Sequence, residues 1–442
     1  MKKNWKISDE QFKEQLINEI AQLIRIPSVS NDSSEVRNAL RYVLDLGKEM
    51  GFRTEAVAED RVGVIEWGEG QETLGILVHV DVVPPGPMEK WHTDPFEPVV
   101  KNGRITGLGA MDDKGMVMTC LFAMKAVADK AAERGLKPTK KVQLIIGTQE
   151  EADWDDMDEY VKSKPLPDYG FTPDGEFPYA NIEKGILDVD MVFDISGDHI
   201  VSIEAGTVPN AIPAFAKAEL ADGRIIKACG KACHSCDPTK GDNAIFNLLY
   251  ELREDGVEKS KSLKVLLLLE EYFKDCYGSK LAIYSDSEYY MGEWVHRNVF
   301  SPTLVRTEGD RLHVMVDVRY PFGTEPDEIV ECLNQLARSI GGKAEIYEVM
   351  PAVFVPRDKP FLKVFDEAYT RYSGAPAVKN IAMGGSYAKL MPGIVSWGPL
   401  FPGEKDFCHE PNEAISIETV EKCFSIYRDA IETILFSENS FK

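Results

Sequence analysis

Basic side chains are in short supply in this sequence. Lysine and arginine number 50 against 73 aspartates and glutamates, which leaves a formal net charge of −23. Nucleic acids and anionic membranes are gripped by clustered cations, so this deficit argues against both as partners. The acidity serves solubility rather than one particular ligand. Long apolar runs are also missing. The greasiest stretch, "LKVLLLLE" at 263–270, falls far below the roughly 20 residues that a membrane-spanning helix needs. It reads as a buried helical turn or strand. The opening residues, "MKKNWKISDEQFKEQL", carry lysines with no apolar region behind them, so no secretory leader is expected. Cysteine is neither dense nor evenly spaced. Eight in 442 residues make no disulfide framework and point to reduced thiols. The sequence shows no internal repeat and no low-complexity tract. These absences lead to the expectation of a cytoplasmic, globular protein.

What is present has room for two or more domains. Phe12, Leu16, Ile20, Leu23 and Ile24 recur at helical spacing up to Pro27. A second helix is expected over 35–50, ended by Gly51. Strand-like stretches follow at "RVGVIEW" and "LGILVHVDVV", then a helix from Met116 to about Lys130, then the apolar run "KKVQLIIGTQEE". Strands alternating with helices predict an α/β layered domain. Near residue 185 the texture changes. Residues 186–205 and 310–320 alternate as half-buried strands do, with helical stretches at 241–254 and 326–339. This predicts an inserted α+β domain at 187–352 between two catalytic segments, 1–186 and 353–442. The second segment ends in a long helix over 417–436.

Acids and histidines gather at the apparent ends of strands. In "LVHVDVVPPG", His79 and Asp81 are two apart and share one face. Ligands of open sheets bind beyond the carboxyl ends of strands. In "GLGAMDDKG", glycines at 107, 109 and 115 allow a tight turn into a helix. Asp112 there is a candidate metal bridge, whereas Asp113 reads as a helix-capping carboxylate. In "GTQEEADW", Glu150 and Glu151 directly follow an apolar strand and point different ways, so one can bind metal while the other handles protons. "FTPDGEFP" supplies Asp174 and "CHEPNE" supplies His409. Each fragment alone is weak. Together they offer nitrogen and oxygen ligands and no thiolate, a set that suits zinc first and manganese or cobalt next.

In "HVDVVPPG", "WHTDPFEPVVKNGRITGLGAMDDKG", "GTQEEADW", "PDGEFP" and "CHEPNE", taken in that order over most of the chain, the sequence resembles the dizinc exopeptidases. These include aminoacylase, carboxypeptidase G, succinyl-diaminopimelate desuccinylase and the Xaa-His dipeptidases. "GTQEE" followed by "TPDGEFPYANIEKG" is most similar to the dipeptidase branch. Leu108 departs from the Arg that many members carry, at a position that is not a ligand. The resemblance implies a zinc-exopeptidase-like α/β/α catalytic domain with an inserted α+β lid domain, and two divalent metal ions. It implies that Asp112 bridges them, that His79 and Asp174 complete one site, and that Glu151 and His409 complete the other. It makes Glu150 the general base and acid, and Asp81 the group that orients His79. The implied activity is hydrolysis of unblocked short peptides, with N-acyl-amino-acid amidohydrolase or desuccinylase as the alternative.

The segment "KACGKACHSCDP" invites a metal or redox reading through Cys229, Cys233 and Cys236. No second Cys pair or paired His follows at zinc-finger spacing. By the resemblance, His234 is instead a lid residue that donates to an oxyanion, and the cysteines are plain neighbours. In "EAGTVPNAIP" and "MVDVRYPFG" the resemblance to the dipeptidase branch implies that Asn210 and Arg319 help hold the substrate's backbone and C-terminal carboxylate, a role that suits the planar fork of arginine. "MGGSYAKL" at 383–390 offers a glycine-rich turn for backbone contact. His92, His199, His296, His313 and Cys408 match no motif position. A long lid that supplies its own histidine predicts an active monomer, with a homodimer as the alternative. A catalytically silent binding protein and a structural cysteine–zinc protein are the competing classes. Intact candidates at every ligand position weigh against the first.

Overall fold

Phe12, Leu16, Ile20, Leu23 and Ile24 are all buried along the helix Asp9–Ile24, as their spacing of three and four requires. The next helix, Ser33–Glu49, begins at Asp32, whose carboxylate accepts the N–H groups of Ser34 and Glu35. It stops just before Gly51, where φ is 95°, a left-handed turn that glycine makes without steric cost. The computed structural model describes residues 9–283, 288–378 and 380–442. Residues 1–8, part of the stretch read for a leader, lie outside the described residues.

The chain divides into two compact units. One comprises Met1–Asn181, Val355–Ala382 and Ser386–Lys442, and the other Ile182–Phe354 with Met383–Gly385. In the first unit the strands run in the order Arg53–Val57, Val62–Gly68, Lys141–Gly147, Thr73–His79, Tyr169–Thr172 and Ile394–Ser396. The last four run parallel to one another. Thr73–His79 lies in the middle and is buried at all of its positions, which requires cover on both faces of the sheet. The helix Lys114–Arg134 supplies part of that cover and packs on the closing helix Ile417–Leu435. Parallel direction has a consequence for the site. His79 pairs with Gly147, so the loops leaving both strands, and the one leaving Thr172, emerge along one edge.

The second unit is a seven-stranded antiparallel sheet. Its order is Ile225–Cys229, Phe215–Leu220, Ile200–Ala205, Val299–Glu308, Arg311–Tyr320, Gly185–Asp194 and Gly342–Met350. Helices Ala244–Glu254, Lys261–Phe273 and Pro326–Arg338 share a core with one face of it. The run "LKVLLLLE" belongs to the helix Lys261–Phe273, with Leu263, Val265, Leu266, Leu268 and Leu269 buried. Among the described residues, no helix is long and apolar enough to cross a membrane. The strand Arg311–Tyr320 departs from the alternation expected of it. Its last seven residues are all buried, because Val314, Val316 and Val318 face the helices while Asp317 and Arg319 are covered on the other side.

Candidate metal centre

Five side chains converge in the first unit, one from the end of a strand and four from loops and turns. His79, Asp112 and Asp174 bring ligand atoms within 4.8 Å of one another, and so do Asp112, Glu151 and His409. Asp112 belongs to both groups. Its Oδ1 lies 2.9 Å from His79 Nε2 and its Oδ2 lies 3.2 Å from His409 Nε2. His409 Nε2 is also 2.9 Å from Glu151 Oε1, and His79 Nε2 is 3.9 Å from Asp174 Oδ2. His409 adopts a φ of 60°, uncommon for a residue with a Cβ, on the loop that aims its ring at this cluster. On the other side of the His79 ring, Nδ1 lies 3.0 Å from the carbonyl oxygen of Asp81. A carbonyl only accepts, so Nδ1 carries a proton. Without metal Nε2 donates to the Asp112 carboxylate, and against the opposing effect of burial the hydrogen bonds to Asp112 and Asp81 hold the ring well above the usual imidazole value.

Further groups fix these ligands from behind. The carboxylate of Asp81 accepts the N–H of Glu150 at 3.2 Å and of Glu151 at 3.1 Å, along with the hydroxyl of Ser30. Its Oδ1 stays 3.4 Å from His79 Nδ1. Asp81 therefore holds the Glu150–Glu151 turn as well as facing His79. Asp156 Oδ2 accepts the N–H groups of Thr148 and Gln149 at 2.6 and 3.2 Å and the Tyr387 hydroxyl at 2.9 Å. The Tyr387 ring lies where a Cβ on Gly147 would sit, 2.4 Å away, so glycine there is a packing requirement. Glu413 accepts the N–H groups of Gly109, Met111 and Asp112 at 2.9, 2.7 and 3.1 Å. It thereby ties the His409 loop to the Asp112 turn. The sequence reading missed Asp156 and Glu413 as functional residues. Glu413 stood inside the quoted "CHEPNE", but a carboxylate that binds remote backbone amides leaves no local spacing to recognise.

Asp113 corrects an expectation. It occupies the N-cap position of the helix Lys114–Arg134, yet its side chain makes no capping bond. Its Oδ2 instead accepts the His79 N–H at 3.2 Å. The residue is fully buried, and the strand end beside it offers an amide that water cannot reach.

Burying so many acids together moves their protons. Burial, then Asp112, pushes Asp174 up to about 7. The same two causes push Glu151 up to about 7. Glu150 is held well above the ordinary carboxylate range, by burial first and by Asp174 next. Burial also opposes ionisation of Asp112, but hydrogen bonds from His409 and His79 outweigh it and its pKa falls. Hydrogen bonds to Asp112 and Glu151 push His409 up to about 11. A cluster in which several carboxyls must take up protons lacks positive charge, and divalent cations are the usual countercharge for such donors.

In the second unit, Asn210, His234 and Arg319 occupy one corner. Ala211 bridges His234 in the backbone, and the Ser235 N–H bonds the Asn210 carbonyl at 3.0 Å. The Cys236 N–H lies 3.1 Å from His234 Nδ1. An amide only donates, so Nδ1 accepts and the ring proton of neutral His234 is on Nε2. Partial burial of the ring, and then the Arg319 guanidinium, hold His234 below the usual imidazole value and favour that neutral form. Arg319 is 3% exposed and forks onto Asp317. Burial raises the thiols of Cys233 and Cys236, away from the thiolate that metal binding needs. The metal-capable groups found among the described residues contain no cysteine. His313 is satisfied by Asp190 across the sheet at 2.8 Å.

Known proteins resemble this chain in sequence and in fold. The family described as "Peptidase family M20/M25/M40" matches residues 75–433. YtjP of Bacillus subtilis (strain 168), described provisionally as a dipeptidase, is 31% identical and the match covers 97% of this chain and 99% of that protein. The crystal structure of aminoacylhistidine dipeptidase from Vibrio alginolyticus shares the fold, with a TM-score of 0.64 at 16% identity over 99% of each chain. YXEP of Bacillus subtilis, described as a dinuclear metal-binding peptidase, also shares it. Its TM-score is 0.56 at 15% identity, over 97% of this chain and 99% of that one.

Proposed function

The chain belongs to peptidase family M20/M25/M40, and from that premise we propose that it is a metal-dependent dipeptidase acting on short peptides with free ends. The observation that carries the reading is Asp112, a buried carboxylate whose two oxygens face two imidazole Nε2 atoms. His79, Asp112 and Asp174 would hold one ion, and Asp112, Glu151 and His409 the other. The donors fit: imidazole nitrogens that would give up a proton to a cation, and buried carboxylates short of positive charge, suit zinc, and next manganese or cobalt. Such a pair of ions supplies the charge that acidifies a water and polarises a scissile carbonyl. The dipeptidase descriptions of YtjP and of the Vibrio enzyme, and the dinuclear site named for YXEP, support the reading.

The chain's own residues supply the rest. Glu150 takes the proton of the attacking water on its carboxylate and passes it to the leaving amine nitrogen. Its backbone is held by Asp81, so the carboxylate returns to one place after each transfer. The second unit is read as the lid. There His234, with its proton on Nε2, donates to the negative charge that develops on the carbonyl oxygen. Asn210 holds the substrate's backbone and Arg319 its C-terminal carboxylate, whose two oxygens match the guanidinium fork.

The test compares a free dipeptide with its N-acetylated form, using zinc- or manganese-loaded protein and a chelated control. Cleavage of the free dipeptide alone, abolished by chelation, is expected. Cleavage of only the acylated compound would move the protein to the amidohydrolase side of the family.

A further inference from the structure

Arg319 does not stand alone. It lies on the strand Arg311–Tyr320, two residues after Asp317 and on the same face. Its Nε donates to Asp317 Oδ1 at 2.9 Å and its Nη2 to Asp317 Oδ2 at 2.7 Å. Asp317 is 1% exposed. This is a fork-to-fork pair out of water, the geometry that fixes a guanidinium plane most firmly. It occupies the Nε–Nη2 edge. The outer edge, Nη1 with the second N–H of Nη2, remains, and Nη1 makes a bond to the Met383 carbonyl at 3.3 Å.

We propose that Asp317 is a positioning residue which holds Arg319 so that its outer edge receives the substrate's C-terminal carboxylate. The proposal rests on the dipeptidase reading above. An unheld arginine has four rotatable bonds to fix on each binding event, and one locked in advance loses little freedom when the carboxylate arrives. The neighbourhood shows why the lock matters. Asp188 stands directly opposite Asp317 on the adjoining strand, is 4% exposed, and its Oδ1 has no hydrogen-bond partner. It is a second acceptor within the same sheet face. With Asp317 neutralised, the guanidinium is drawn toward Asp188 and its outer edge turns with it. A buried ion pair that served only to balance charge would show no such dependence on geometry.

The test measures kcat/KM for a free dipeptide and for the same dipeptide as its C-terminal amide, with the metal-loaded full chain. The wild type is expected to prefer the acid by about 100-fold or more, the range of a charge-assisted bidentate contact. Asp317→Asn should cut that preference to below about 10-fold, through KM for the acid, with hydrolysis of the amide unchanged. Asp317→Glu keeps the charge and lengthens the arm, so it should also lower the preference; it carries the test if the asparagine variant does not fold. Asp188→Asn should retain the preference. A wild type without any preference would remove the carboxylate role of Arg319, and the proposal with it. A wild-type preference that survives in both Asp317 variants would overturn the proposal alone. Equal loss in Asp188→Asn would also overturn it, by showing that buried charge rather than the fork sets the ratio.

Discussion

Glu150 and Glu151 are adjacent in sequence, and the proposed mechanism gives them separate tasks. The Glu151 carboxylate faces His409 at 2.9 Å, whereas Glu150 belongs to neither ligand group. Adjacent side chains leaving a strand end diverge, and that divergence is all the division of labour requires. Glu150→Gln keeps the size and removes the proton-accepting oxygen. Turnover should fall by about 10²–10⁴-fold, with metal content by elemental analysis equal to wild type. Loss of metal as well would place Glu150 among the ligands. The residue scale is also where the sequence was most readable for the centre and least readable for its support. His79, Asp112, Glu151, Asp174 and His409 each announced themselves as acids or imidazoles after strands or glycine turns. Asp156 looked like any acid in "DWDDMDE".

The strand Lys141–Gly147 and the turn after it act as one element. Thr148, Gln149, Glu150 and Glu151 donate their four backbone N–H groups to two carboxylates, Asp156 and Asp81. Trp154 Nε1 closes the turn onto the Glu150 carbonyl at 2.6 Å. Tyr387 stands behind Asp156 and packs on Gly147. Removing its hydroxyl by Tyr387→Phe leaves the ring in place and frees Asp156 on one side. The expected result is a loss of about 10-fold in kcat, since small displacements of a base are costly, with KM and metal content unchanged. An unchanged kcat would show that Asp81 alone holds the turn. "MGGSYAKL" was singled out for its glycines as a substrate contact, yet the tyrosine within it braces, through Asp156, the turn that carries Glu150 and Glu151.

For the whole molecule, the buried acids make stability depend on pH and on metal together. In the metal-free protein Glu151 and Asp174 hold their protons up to about 7, above the ordinary value near 4 of an unfolded chain. His409 holds its proton up to about 11, against about 6.5 when unfolded. Between pH 5 and 8 the folded state therefore binds more protons than the unfolded one, and stability falls as pH rises. Asp112 has the opposite sign, but its contribution is lost only at acid pH, below that window. The melting temperature of chelated protein should drop from pH 5 to pH 8. Saturating zinc should raise it most at pH 8, where the ligands give up the fewest protons on binding. A chelated protein that melts at the same temperature throughout would show that water reaches the cluster and screens it.

The sequence by itself determined the kinds of donor, their order along the chain, and the helices and strands that carry them, because periodicity and turn residues act over a few positions. The resemblance of "GKACHSCDP" to the family's lid motif made His234 a candidate donor, and the cysteine spacing there offered no zinc site. Only the tertiary structure decided which atom faces which. That the Asp113 side chain meets a strand amide rather than capping a helix depends on the strand end beside it. That Glu413 cradles the Asp112 turn depends on a contact 301 residues away in the chain, and the Tyr387 bond to Asp156 spans 231. That Arg319 offers one edge and not both depends on a fork formed inside a finished sheet. Hydrogen bonds of this kind are set by direction and burial after the chain has closed, and no local pattern of residues encodes them.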